Sequence, residues 1–217
     1  MCFSAAASFS AAVVTGVVGV ACLAKVRSIR ELPLAAMPLL FAAQQAVEGL
    51  LWLKLPMAPS AAEASSLTLV FLIYAKVFWP VYVPTTVLLI EPDRPRQIMM
   101  RLILMAGIAI GIYFLRAILG GAHTASILGG HICYEPQVDL PMSVSIAYLA
   151  ATCAAPLLSS HRLVRVLALI VIAGAGITYA FYWQAFTSVW CFFAAAASVV
   201  VYLHLSQETQ QRAVAVK

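Results

Sequence analysis

The sequence predicts an all-α protein: an integral membrane bundle of seven transmembrane helices, with the amino end outside and the carboxyl end in the cytoplasm. Three observations predict it. Of 217 residues, 64% are apolar and only 10% charged, and the mean hydropathy is +0.98; a soluble domain carries about a quarter charged residues. Apolar runs long enough to cross a hydrocarbon core of about 30 Å recur along the whole chain. Lysine and arginine concentrate in alternate connections between those runs, as they do where positive charge is retained on the cytoplasmic side.

The runs fall at about residues 4–24, 33–53, 65–90, 98–118, 141–158, 163–182 and 186–205, and together they form a single membrane domain over residues 1–217. The first, "MCFSAAASFSAAVVTGVVGVACLA", has no basic stretch ahead of it and is too long for a signal core, so it reads as a retained helix. The second contains "QQAVEGLLW", which sets two glutamines and a carboxylate inside an apolar helix. The third is unusually long and carries Pro80 and Pro84 in "KVFWPVYVP". Each proline removes a backbone donor, so a bent helix with a cavity beside it is expected. The fourth ends with Tyr113 and Arg116. The fifth to seventh follow the loop "GGAHTASILGGHICYEPQVDLP".

Sidedness comes from the connections. The first holds Lys25, Arg27 and Arg30, the third Arg94, Arg96 and Arg101, the fifth Arg162 and Arg165, and the tail Arg212 and Lys217. The others hold only Lys54 and Arg116. This pattern accounts for the +5 charge, so the bilayer of the cell (inner) membrane is the expected partner and nucleic acid is not. The glutamine motif is not repeated later in the chain, which argues against a two-fold transporter architecture.

With this orientation, most chemically capable residues converge on the outer half. Gln44 and Glu48 lie one turn apart on the second helix, with Gln45 beside them and Trp52 a turn further out. Tyr113, Arg116 and Trp183 reach the same end. Lys76 lies deep in the third span, where a charge costs about 2.5–3.5 kcal/mol on insertion scales and calls for an ion-pair partner or deprotonation. The tryptophans also suit an interfacial belt, and Arg116 can extend to the headgroups. Cys2, Glu48, His131 and Cys191 combine thiolate, carboxylate and imidazole, the donors that zinc or copper selects. The alternative for the two thiols is a Cys2–Cys191 disulfide in an oxidising compartment. The seventh helix has only His204, and His161 follows "SSHR", so the paired-histidine motif of seven-span zinc hydrolases is missing. A retinal Schiff base has no lysine in the last helix.

The landmarks "MCFSA", "PLLFAAQQAVEGLLW", "FWPVYVPTTVLLIEP", "LLSSHRLVR" and "SVWCFF" together resemble a bacterial family of multi-pass membrane proteins classed as a domain of unknown function. The resemblance runs nearly end to end. Its hallmarks fall on Cys2, Phe3, Ser4, Gln44, Gln45, Glu48, Trp52, His131, Trp190 and Cys191, and it brings no activity, substrate or cofactor with it.

The leading expectation is therefore an outward-facing polar pocket, with zinc or copper as the candidate metal, that binds or converts a small molecule. Glu48 serves there as ligand or general base and His131 as ligand or proton carrier. Gln44, Gln45, Lys76, Tyr113, Arg116 and Trp183 contact substrate. The alternative is a transporter or channel for a small solute or ion that uses Glu48 and Lys76. A third reading is an accessory or sensor protein.

Overall fold

The first helix begins where a side chain satisfies its open end. In the computed structural model, which describes residues 4–57, 62–121, 124–135 and 142–215, Ser4 Oγ accepts a hydrogen bond from the Ala7 amide at 3.2 Å. From there α1 runs over Ala5–Leu23; a serine in this place supplies an acceptor that the first turn lacks. Val13, Val14, Val17 and Val20 point out of the bundle, a face suited to lipid. The opposite face is small and packs antiparallel on α2, Leu32–Lys54. Gly19 meets Leu39, Gly16 meets Ala42, and Phe9 meets Gly49. That register sets Ser8 beside the Glu48 turn.

The third span is one continuous helical stretch in three parts. These are α3 (Ala62–Leu72), a π-helical segment (Ile73–Phe78) and α4 (Trp79–Ile90). Pro80 has no N–H for the carbonyl one turn back, and its ring presses on that carbonyl. The wider π-turn just ahead of it takes up the misfit. The Tyr148 hydroxyl donates to the Ala75 carbonyl within this segment, so a neighbouring helix satisfies irregular backbone. α5 (Arg94–Leu119) crosses α4 so closely that a Cβ at Gly107 would collide with the Pro80 carbonyl oxygen.

A β-hairpin follows: β1 (Thr124–Leu128) pairs antiparallel with β2 (His131–Glu135), and Leu128 faces His131 across the turn. Gly129 and Gly130 form that turn with φ of 57° and 77°, the left-handed pair that a two-residue hairpin turn requires. Tyr134 stacks on Phe71 of α3 with ring centroids 4.6 Å apart. The remaining helices are α6 (Met142–Leu158), α7 (Arg162–Phe181), α8 (Phe186–Ala197) and α9 (Val199–Ala215). A short 3₁₀ turn, Trp183–Ala185, leads into α8, and α8 and α9 meet at Ser198.

The expected all-helical, seven-span fold is met in part. The protein is helical but not purely so, because "ASILGGHICY" alternates around Gly-Gly and pairs with itself. Among the described residues, six helical stretches are long and apolar enough to cross a membrane: Ala5–Leu23, Leu32–Lys54, Ala64–Ile90, Arg94–Leu119, Arg162–Phe181 and Trp183–Gln210. Ser143–Leu158 is apolar but shorter.

Opposite the hairpin, a polar network ties three helix ends. The buried Glu91 carboxylate accepts from the Ser160 amide at 2.8 Å, the Ser159 hydroxyl at 3.2 Å and the Ser160 hydroxyl. Burial pushes this carboxyl up, but the hydrogen bonds from Ser160, Asp93 and Ser159 outweigh it and hold its pKa below the ordinary value. Arg165 donates to the Ser159 carbonyl at 2.8 Å, and Arg96 to the Leu158 carbonyl at 3.0 Å.

Candidate functional site

One face of α2 changes character along its length. Leu34, Met37, Phe41, Gln44 and Glu48 recur at helical spacing and share that face; the first three are apolar and the last two are fully buried polar residues. Gln44 Oε1 accepts from the Trp79 indole Nε1 of α4 at 2.7 Å. Trp79 is fixed in turn by stacking on Phe41, with centroids 3.9 Å apart and planes 16° from parallel. The Ser188 hydroxyl of α8 donates to Glu48 Oε1. Cys191 lies one turn after Ser188 on the same side of α8, so its thiol lies against the Gln44 amide and near the Glu48 carboxylate. Three helices therefore converge on one buried polar cluster.

Beside it, Gln45 is also completely buried. Neither polar atom of its amide has a hydrogen-bond partner among the described residues, and the same holds for Ser8 Oγ and the Trp52 indole nitrogen. An unmet buried polar group costs about 1–3 kcal/mol, so this end of α2 holds more hydrogen-bonding capacity than those residues consume.

A cavity of about 60 Å³ adjoins the cluster. Trp79 and Cys191 form its polar-side wall, and Leu34, Phe41, Val87, Val164 and Leu167 carry it toward the Glu91 end. Tyr148 and Trp190 close a side, with ring centroids 5.6 Å apart and the Trp190 indole donating to the Val171 carbonyl at 3.1 Å. The lining is almost wholly apolar, which suits a hydrocarbon body rather than a hydrated ion.

A family model matches residues 1–216. The chain belongs to the family of unknown function DUF6629. No curated protein and no solved structure matches it.

In this DUF6629 chain the other sequence-singled residues scatter. Lys76 sits in the π-segment with its ammonium 5.7 Å from the Phe114 ring centroid. A cation–π contact is thus its neighbour among the described residues, where the sequence calls for an ion-pair partner or deprotonation. Tyr113, Arg116 and Trp183 are exposed on the bundle's outside, and Trp183 packs edge-on against Tyr179 at 4.9 Å. His131 opens β2 with its ring against Tyr182 at 5.3 Å, and burial lowers its pKa from the ordinary histidine value. Cys191 is a free buried thiol. Cys2 lies outside the described residues, and with it both the Cys2–Cys191 pairing and the full Cys2, Glu48, His131 and Cys191 quartet.

Sequence reasoning missed two sets of residues. Ser188 and Trp79 complete the α2 cluster, and nothing in their local sequence marks them. His161, His204 and Glu208 gather at the opposite end, with one ligand atom from each lying within 4.8 Å of the others. Among the described residues this is the metal-capable group of three or more His, Cys, Asp or Glu side chains. The i, i+4 spacing of His204 and Glu208 in "HLSQE" is the signal that points to it.

Proposed function

We propose that this membrane-compatible chain binds a small, largely apolar molecule with one polar end inside its bundle. The polar end engages Gln44, Glu48 and Cys191, and the apolar body occupies the adjoining cavity. The observation that supports this reading is the single face of α2: Leu34, Met37 and Phe41 line the cavity, and the same face continues into Gln44 and Glu48. Trp79 and Cys191 belong to both cavity and cluster. Gln44, held by Trp79, presents a fixed amide, and Glu48 offers a carboxylate able to accept a hydrogen bond or a proton. The unused amide of Gln45 adds capacity for a further polar group or an ordered water. With the basic connections cytoplasmic, this site lies in the outer half of the bilayer.

The test is mass spectrometry of small molecules retained by the purified chain in nanodiscs formed from its host membrane. Wild-type protein is expected to retain one amphiphilic species close to one per chain. Glu48→Gln should lower its occupancy about tenfold by replacing the carboxyl group with an amide, and Ala168→Phe should do so by filling the cavity. A species retained equally by wild type and both variants, or no retained species at all, overturns the reading. Solute flux in proteoliposomes that is abolished by Glu48→Gln, with no retained species, favours the conduit alternative.

A further inference from the structure

We infer that His161, His204 and Glu208 form a binding site for a divalent first-row transition-metal ion, with zinc the first candidate, at the Glu91 end of the bundle. His161 caps the start of α7, while His204 and Glu208 stand one turn apart on α9 and so project from one face. His161 Nδ1 is 3.5 Å from Glu208 Oε1, and the His161 and His204 rings lie 4.8 Å apart at 71°. In a tetrahedral site with bonds of about 2.0–2.1 Å, neighbouring ligand atoms lie about 3.3–3.5 Å apart. The His161–Glu208 edge is already near that length, and the three ligand atoms all lie within 4.8 Å of one another.

The decisive detail is the other nitrogen of His161. Its Nε2 lies 3.1 Å from the Ile90 carbonyl oxygen at the end of α4. A carbonyl can only accept, so Nε2 carries a hydrogen, and the ring turns its Nδ1 toward the Glu208 carboxylate. Metal-bound imidazoles are held in this way, with the remote N–H donated to a carbonyl that fixes the tautomer and ring plane.

The support around His161 is rigid. Its amide donates to Ser159 Oγ at 3.2 Å. Ser159 and Ser160 are clasped by Glu91, and Arg165 and Arg96 hold the backbone of the same turn. His204 is buried. Two imidazoles and one carboxylate favour zinc and its neighbours over calcium or magnesium, and three protein ligands leave a position for water. The ion would fasten α9 to the ends of α4 and α7. This site shares no residue with the ligand site above and stands or falls separately from it.

Zinc binding is measured on the full-length chain in detergent, with any polyhistidine tag removed and resident metal stripped by chelator. Zn²⁺ added back is expected to bind at one ion per chain and raise the thermal transition, and Co²⁺ in its place should give the visible bands of a low-symmetry site. H204Q and E208Q should each weaken zinc binding at least tenfold. E208Q keeps side-chain size, so loss of zinc with unchanged circular dichroism supports the site even where H204Q fails to fold. Equal zinc binding by wild type and E208Q overturns the inference. So does loss of the ion from C191S in place of E208Q, or a folded wild type that takes up no zinc.

Discussion

At the scale of single residues, the buried Glu48 carboxylate depends on a hydroxyl that nothing in its own helix foretells. Ser188→Ala removes the hydrogen bond donated to Glu48 Oε1 and should lower stability by about 1–3 kcal/mol, read as a depressed unfolding transition in detergent. Glu91 gives a pH signature. Its folded pKa is lowered, so its contribution to stability is complete above the ordinary glutamate value and is lost as pH falls through the folded one. The difference in thermal stability between wild type and Glu91→Gln should therefore shrink as the pH is lowered through that range. Gln44, Gln45 and Glu48 are legible in the sequence because polar groups in an apolar run must be satisfied somewhere. Ser188 and Trp79 are not, because serine and tryptophan are ordinary in membrane helices and lateral neighbours leave no trace in a linear pattern. His161 and His204 are conspicuous singly, but only the folded chain brings "SSHR" beside "HLSQE".

At the scale of elements, the apolar runs locate the helices, and the ends differ where polar side chains extend a helix past the membrane. α5 begins at Arg94 within a basic connection, and α9 continues through "SQETQQR". Hydropathy does not see such turns, since they are helical without being apolar. The hairpin escapes for a different reason: its alternating "ASILGGHICY" is too short and too mixed to register beside apolar runs. The prolines of the third span foretell a disturbance, but not its form, a π-segment whose Ala75 carbonyl accepts from Tyr148 of another helix. Close packing beside that segment makes a sharp prediction. Gly107→Ala would set a Cβ against the Pro80 carbonyl and should destabilise the protein by about 1–3 kcal/mol. Gly176→Ala on α7, where an added Cβ meets nothing within 4 Å, should be neutral or slightly stabilising. Thermal unfolding of the two variants side by side measures the contrast.

At the scale of the whole molecule, the alternation of basic connections predicts the hairpin outside and the Glu91 network inside. Leu128→Cys in the hairpin and Ile29→Cys in the first connection both replace exposed side chains. An impermeant maleimide applied to intact cells should label the first and spare the second; the reverse pattern would invert the topology. The join at Ser198 has a wider consequence. Ser188 and Cys191 stand on α8, His204 and Glu208 on α9, and Ser198 keeps the two in one column, its amide still bonded to the Ala194 and Ala195 carbonyls. A rotation of α9 therefore turns the wall of the α2 cluster as well. Such sharing is a thermodynamic contract that runs both ways. Whatever factor an ion at His204 and Glu208 imposes on the affinity of a molecule at the α2 cluster, that molecule must impose on the affinity for the ion. Titrating each in the presence and absence of the other should return one factor, equal in both directions, and a factor other than unity would make the last span a relay between its two ends.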